Sequence, residues 1–131
     1  MVTQGNGIAQ IPGYDLLELI GKGGMGSVYF GRRKSDDRPV AIKFAKASKV
    51  EDRVFISRLR RELEVSKSFA HPYVVKVLDN GLLPSGDIFI VMEFIKGASL
   101  AEAGDGEVSA EFAIKTVEYM AEALSYIHSQ N

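Results

Sequence analysis

The sequence predicts an α+β fold: a five-stranded antiparallel sheet with one main helix, followed by the first helices of an incomplete helical part. Three observations predict it. Short runs of β-branched and aromatic residues alternate with Gly, Pro, Asp and Asn clusters over residues 14–94. One stretch, residues 54–69, switches to the helical period. A second helical pattern starts near residue 110 and is apolar around much of its circumference.

The elements follow in chain order. Residues 14–20 form the first strand, with Leu16, Leu17, Leu19 and Ile20 supplying the apolar weight. Residues 27–32 form the second, and a glycine-rich hairpin joins the two. Ser35-Asp36-Asp37-Arg38-Pro39 is a turn cluster. The third strand, residues 40–45, places Val40, Ile42 and Phe44 on one face and Ala41 and Lys43 on the other. Phe55, Leu59, Glu62, Ser66 and Phe69 then recur at spacings of four and three, one stripe of a helix. His71-Pro72 ends that helix, because the residue before proline avoids helical dihedrals. Residues 73–78 and 87–94 are the fourth and fifth strands, with turn signals at Asp79-Asn80-Gly81 and Pro84-Ser85-Gly86. Lys96-Gly97-Ala98-Ser99 breaks the pattern, and residues 101–107 form a loop or a very short helix. Ser109 is the N-cap of a helix over residues 110–129. One of its faces carries Ala113, Val117, Met120, Leu124 and Ile127, and another carries Phe112, Tyr119, Ala123 and Tyr126.

Composition removes several function classes. The chain has 131 residues, 46% hydrophobic and 25% charged, a globular balance. A net charge of −1 without blocks of like charge argues against a nucleic-acid surface. With no cysteine there are no disulfides, thiolate metal sites or cysteine nucleophiles. No apolar run is long enough to span a bilayer. Residues 1–13 read as a flexible tail without signal-peptide character, so a cytoplasmic location is expected.

Chemistry concentrates in Gly21-Lys22-Gly23-Gly24-Met25-Gly26-Ser27-Val28, the pattern G-x-G-x-x-G-x-V, and in Val40-Ala41-Ile42-Lys43. Phosphates need close approach of backbone N–H groups, which glycines permit. A dinucleotide fingerprint requires a helix directly after the glycines, but the β-forming run Ser27-Val28-Tyr29-Phe30 follows. No Gly-Lys-Ser/Thr closes a P-loop. Lys43 alone reads equally well as a lysine on a half-solvated sheet. Glu62 adds weight, since a carboxylate within an apolar helical stripe is costly unless paired; Glu64 is the alternative partner, off the stripe. Met92-Glu93-Phe94-Ile95 resembles a strand leaving the sheet, where backbone groups can meet an adenine edge beneath a roof of Ile20, Val28 and Ala41. Ordinary core packing accounts for each of these residues taken singly. His71 and His128 lack metal-ligand spacing and read as packing residues at helix ends.

The runs Ile20 to Val28, Val40 to Lys43, Arg61-Glu62, His71-Pro72-Tyr73-Val74-Val75, and Val91-Met92-Glu93-Phe94 with Gly97-Ala98-Ser99-Leu100 together resemble the protein-kinase family. Gly23-Gly24-Met25-Gly26 resembles the bacterial eukaryotic-like Ser/Thr kinases in particular. The resemblance implies an ATP-binding N-lobe over residues 14–96, and a hinge exit and beginning of a C-lobe over residues 97–131. It implies ATP and Mg²⁺ as cofactors and a protein Ser/Thr hydroxyl as acceptor in the full-length domain. Gly21, Gly23 and Gly26, with Lys22, Gly24, Met25 and Ser27 in the same loop, would cover the phosphates, and Val28 would lie above the base. Lys43 would contact the α- and β-phosphates and pair with Glu62. Met92 would be the gatekeeper, the Glu93 carbonyl and Ile95 amide would meet adenine, and Ser99 would lie near the ribose.

Three departures accompany the resemblance. Ser66 stands where the family often has an apolar residue. Residues 101–107 are short for the usual helix after the hinge. The sequence ends about where H-R-D should begin, and neither H-R-D nor D-F-G occurs. Residues 1–131 alone are therefore expected to be inactive and to lack Mg²⁺ ligands. The alternatives are a non-catalytic nucleotide-binding or interaction module, or a fragment without independent function. Self-association through the last helix is a further expectation.

Overall fold

A computed structural model describes residues 10–23, 26–45, 53–103, 106 and 108–130, with residues 53–55 described for backbone only. Gly24, Met25, most of the N-terminal segment and Asn131 lie outside the described residues.

The element order is β1 (Tyr14–Gly23), β2 (Gly26–Arg33), β3 (Arg38–Ala45), α1 (Arg53–Ser66), β4 (Val77–Leu82), β5 (Ile88–Glu93), α2 (Leu100–Ala103) and α3 (Ala110–Ser129). All strands are antiparallel, in the order β1-β2-β3-β5-β4. The β2–β3 turn is held by its own charges: Arg33 meets Asp36 through two hydrogen bonds, and Arg32 donates to the Asp37 carbonyl and carboxylate. Asp37 adopts φ 59°, a left-handed conformation that Asp tolerates better than most residues.

One sheet face carries the core. Val40, Ile42 and Val91 are fully buried, and Ile11, Leu83 and Phe89 complete the cluster, with Tyr14, Leu16, Phe44 and Leu78 against it. The expected Val40/Ile42/Phe44 face is thus the core face. Of the tail expected over residues 1–13, the described Ile11 packs into the core. It is only 2% exposed. Its carbonyl accepts from the Tyr14 amide (3.2 Å), and the Gly13 carbonyl accepts from the Lys34 amide (2.9 Å).

Three expectations are corrected. The fourth strand is residues 77–82 and not 73–78, so Asp79-Asn80-Gly81 lies inside β4 and is no turn. Gly81 is there for space: a Cβ would approach the Phe89 ring to 2.7 Å. The hairpin reverses at the second turn signal, with Leu83 N–H donating to the Asp87 carbonyl and Gly86 at φ 87°. Residues 71–74 instead form a compact turn, where the Val74 amide donates to the His71 carbonyl and the Tyr73 amide to His71 Nδ1, and residues 75–76 lead on into β4.

Helix α1 ends at Ser66 and not near Phe69. The hydroxyls of Ser66 and Ser68 take the carbonyls of Leu63 and Val65, which loosens the helical ladder. Its more sheltered residues are Ile56, Leu59, Leu63 and Ser66, while Glu62 is exposed. The sheltered stripe keeps Leu59 and Ser66 of the expected one but has Leu63 in place of Glu62. Leu63, four residues after Leu59 where Glu62 is three, is fully apolar and takes the inward place assigned to Glu62.

Helix α3 has the expected bounds and cap. Ser109 is extended (φ −64°, ψ 148°), and its side chain accepts from the Phe112 amide. None of its residues is buried.

Candidate functional site

The sheet face opposite the core is built by strand register, because directly paired residues share a face. One row crosses Gly21, Val28, Lys43 and Ile90. The adjacent row crosses Glu18, Phe30, Ala41, Met92 and Val77. Val28, Ala41, Lys43 and Met92, from three different strands, thus form one patch. Ala41, Val77 and Ile88 are buried on this side, and Lys43 is half-buried. Ile20, beside the β1 irregularity between Leu19 and Gly21, is 46% exposed at the edge of the patch.

The loop glycines differ in what the chain asks of them. Gly26 has φ 142°, and a Cβ there would strike the Phe44 carbonyl oxygen. A side chain at Gly23 would meet nothing within 4 Å, and one at Gly21 only an ordinary contact with Val28 at 3.7 Å. Gly26 is thus required by the sheet itself, whereas Gly21 and Gly23 leave unfilled space above the Val28/Lys43 row. Lys22 is exposed and Ser27 half-buried. Gly24 and Met25, also expected in the loop, lie outside the described residues.

Lys43 and Glu62 are not brought together. Among the described residues no ion pair joins them, and Glu62 faces solvent. Glu64, the alternative partner, is committed to Lys67 (2.9 Å) and Asn80 (3.2 Å), which hold its carboxyl below the ordinary value.

The exit from β5 is tied down. The Glu93 amide donates to the Lys76 carbonyl (2.9 Å), and the Glu93 carboxylate accepts from the Lys76 amide (2.8 Å). Phe94 turns back edge-on to Phe30 at 4.7 Å. Ile95 is 66% exposed. Ser99 caps α2: its hydroxyl accepts from the Glu102 amide, and Glu102 accepts from the Ser99 amide at 2.6 Å, which lowers the Glu102 pKa. The signature Ser99-x-x-Glu102 was available in the sequence and predicts this helix start. Lys76 carried no such signal, since its partners are backbone carbonyls.

A groove of about 730 Å³ lies elsewhere, between α2 and α3, lined by Tyr73, Leu100, Phe112, Tyr119 and Met120 among others. It shares only Ser99 with the residues above. Among the described residues no His/Cys/Asp/Glu cluster could hold a metal ion, and no helix is long and apolar enough to cross a membrane.

An antiparallel five-stranded sheet with a glycine hairpin, a half-buried lysine on the third strand and a helix after it defines a kinase-type N-lobe, followed by the start of a helical C-lobe. The comparisons agree: residues 14–131 match the protein kinase domain, and the chain belongs to that family. It is 36% identical over 118 residues to the serine/threonine-protein kinase PrkC of Bacillus subtilis (strain 168), covering 88% of this chain and 18% of that protein. It is 34% identical over 120 residues to the serine/threonine-protein kinase PknB of Mycolicibacterium smegmatis, covering 88% of this chain and 19% of that protein. The solved PknI kinase domain of Mycobacterium tuberculosis superposes with a TM-score of 0.82 at 25% identity, over 98% of this chain and 53% of that one. The chain therefore spans about a fifth of these two curated relatives and about half of that solved kinase domain.

Proposed function

We propose that residues 14–96 are the nucleotide-holding lobe of a Ser/Thr protein kinase, with residues 97–131 beginning its helical lobe. In the full-length domain the reaction would transfer the γ-phosphoryl of ATP to a protein Ser or Thr hydroxyl: the hydroxyl oxygen bonds to the γ-phosphorus, the bond to ADP breaks, and the proton passes to a base. The observation that carries this reading is the row Gly21–Val28–Lys43. Lys43 lies in register with a hairpin whose Gly21 and Gly23 are not required sterically by the chain itself. Lys43 would neutralise the α- and β-phosphates, and the loop from Gly21 to Ser27, including Lys22, Gly24 and Met25, would offer backbone N–H groups. Ile20, Val28, Ala41 and Met92 would enclose the adenine, with the Glu93 carbonyl and Ile95 amide at its edge and Ser99 toward the ribose. Glu62 would pair with Lys43 after a rotation of α1 that carries it inward; kinases exchange such helix positions between states. Among the described residues no cluster of His, Cys, Asp or Glu could hold Mg²⁺, and the ion's ligands would come from elsewhere in the full-length domain. A cytoplasmic location, where ATP is available, is part of this proposal.

The test is nucleotide titration of the full 131-residue chain by calorimetry. The lobe would supply the glycine loop, the lysine and the hinge, and among the described residues no group could hold a metal ion; each tenfold of affinity lost with the missing partners corresponds to about 1.4 kcal/mol. Binding of ATP near about 1 mM is expected, abolished by Lys43→Ala, with no phosphotransfer to protein. Low-micromolar ATP affinity, or metal-dependent phosphotransfer that vanishes in Lys43→Ala, would overturn this view of the chain.

A further inference from the structure

The ammonium of Lys76 is half-buried, and among the described residues no carboxylate lies within ion-pair distance of it. Its partners are two backbone oxygens just past the end of α1: the Lys67 carbonyl at 2.6 Å and the Phe69 carbonyl at 2.9 Å. Both carbonyls belong to the turn that leaves α1, and an ammonium with several donors can hold two of them at once. The backbone of the same residue is fastened to the last residue of β5, through the Glu93 amide and the Glu93 carboxylate. One residue thus bolts the end of α1 to the strand leading into the hinge. Among the described residues α1 meets the sheet mainly at β4, and its outward residues include Ser57, Arg58 and Glu62. A helix held near one end can pivot there.

We propose that Lys76 is a positioning residue, the pin that fixes the C-terminal pivot of α1 against Glu93 and so sets the orientation of the helix that carries Glu62. Its functional meaning rests on the nucleotide reading of Lys43 and Glu62, but its geometry does not. Because the pin joins α1 to the residue whose carbonyl would meet adenine, it offers a direct mechanical link between hinge and helix.

The test uses the absence of cysteine, which allows clean labelling. Spin labels are placed at Ser57→Cys on α1 and Ser35→Cys in the β2–β3 turn, both exposed, and their distance is measured by pulsed electron resonance in the full chain without nucleotide. A single narrow distribution is expected in the parent. Lys76→Met keeps the aliphatic stem and removes the ammonium; it should broaden or shift the distribution and speed amide exchange at residues 67–70 about tenfold, with β3 and β5 protection unchanged. Lys76→Arg should restore the narrow distribution. A Lys76→Met chain with the parent's distance distribution would overturn the proposal, as would broadening that Lys76→Arg fails to rescue. Should the parent bind no nucleotide at all, the nucleotide reading fails, while the label distances still decide the pin.

Discussion

Gly26 shows how one residue can serve both fold and site. Its φ of 142° is a region that side chains avoid, and the Phe44 carbonyl occupies the space a Cβ needs. Gly26→Ala should therefore cost roughly 1–3 kcal/mol and open the Ser27–Phe44 end of the β2–β3 ladder. Gly23→Ala, in open space, should cost less than about 1 kcal/mol. Urea unfolding of the two variants checks this, and equal losses would show that the hairpin is not anchored as described. Charge acts just as locally at Asp36. The Arg33 guanidinium and then the Arg38 amide hold its carboxyl down to about 2. A depressed carboxylate stabilises the fold above its ordinary value near 3.8 and loses that contribution as pH falls through about 2. The Asp36 carboxyl resonance should titrate near 2 and move up toward the ordinary value in Arg33→Gln. An unchanged midpoint in that variant would remove Arg33 as the cause. Singly, Gly21, Lys43 and Ala41 each had an ordinary reading, and only their spacing together marked one sheet face, which the register Gly21–Val28–Lys43 reproduces. Lys76 was not legible, because a lysine that binds carbonyls looks like any surface lysine in a sequence.

Elements were legible where local chemistry and packing agree. Helix α3 has both a serine cap and a clear periodicity, and its bounds match the expected ones. Strand β3 showed its two faces through plain alternation, which the burial of Val40 and Ile42 reproduces. Where the two disagreed, packing won. Asp79-Asn80-Gly81 has the composition of a turn, yet the Phe89 ring sits over Gly81. Asp79 also has specific partners there: the Tyr14 hydroxyl at 3.3 Å and the Lys67 ammonium at 3.7 Å. Burial, with the Asp79 carboxylate second, raises the Tyr14 pKa, so the phenol remains the donor in that pair. In α1, a stripe through Glu62 and one through Leu63, both containing Leu59 and Ser66, satisfied the spacing rule. A stripe chosen to include Glu62 assumed a pairing that depends on the helix's orientation, which no periodicity encodes. The described structure places Leu63 inward instead.

At the scale of the molecule, cohesion is uneven. The sheet has a sealed core, while α3 touches the rest mainly through aromatic contacts at one side. Tyr126 accepts from the Ala70 amide (2.9 Å) and meets the rings of Phe69 and His71; Tyr119 stacks on Tyr73 with centroids 4.2 Å apart. Val117, Met120 and Leu124 are 65%, 57% and 52% exposed. A 20-residue helix without a buried face is marginal in water, since most helical stability in proteins comes from packing. Its opening free energy should therefore lie close to zero, against the global value for β3 and β5. In a dilute, demonstrably monomeric sample, amides from Val117 to Ile127 should exchange within about tenfold of unstructured rates, while those of Val40, Ile42 and Val91 stay protected. Raising the concentration separates two consequences. Protection that grows with concentration means the exposed stripe is being covered by a second copy, as self-association through α3 would require. Slow exchange through α3 in the dilute monomer would mean that the aromatic contacts to residues 69–73 suffice to hold it, and the separation of a stable sheet from a marginal helix would be wrong.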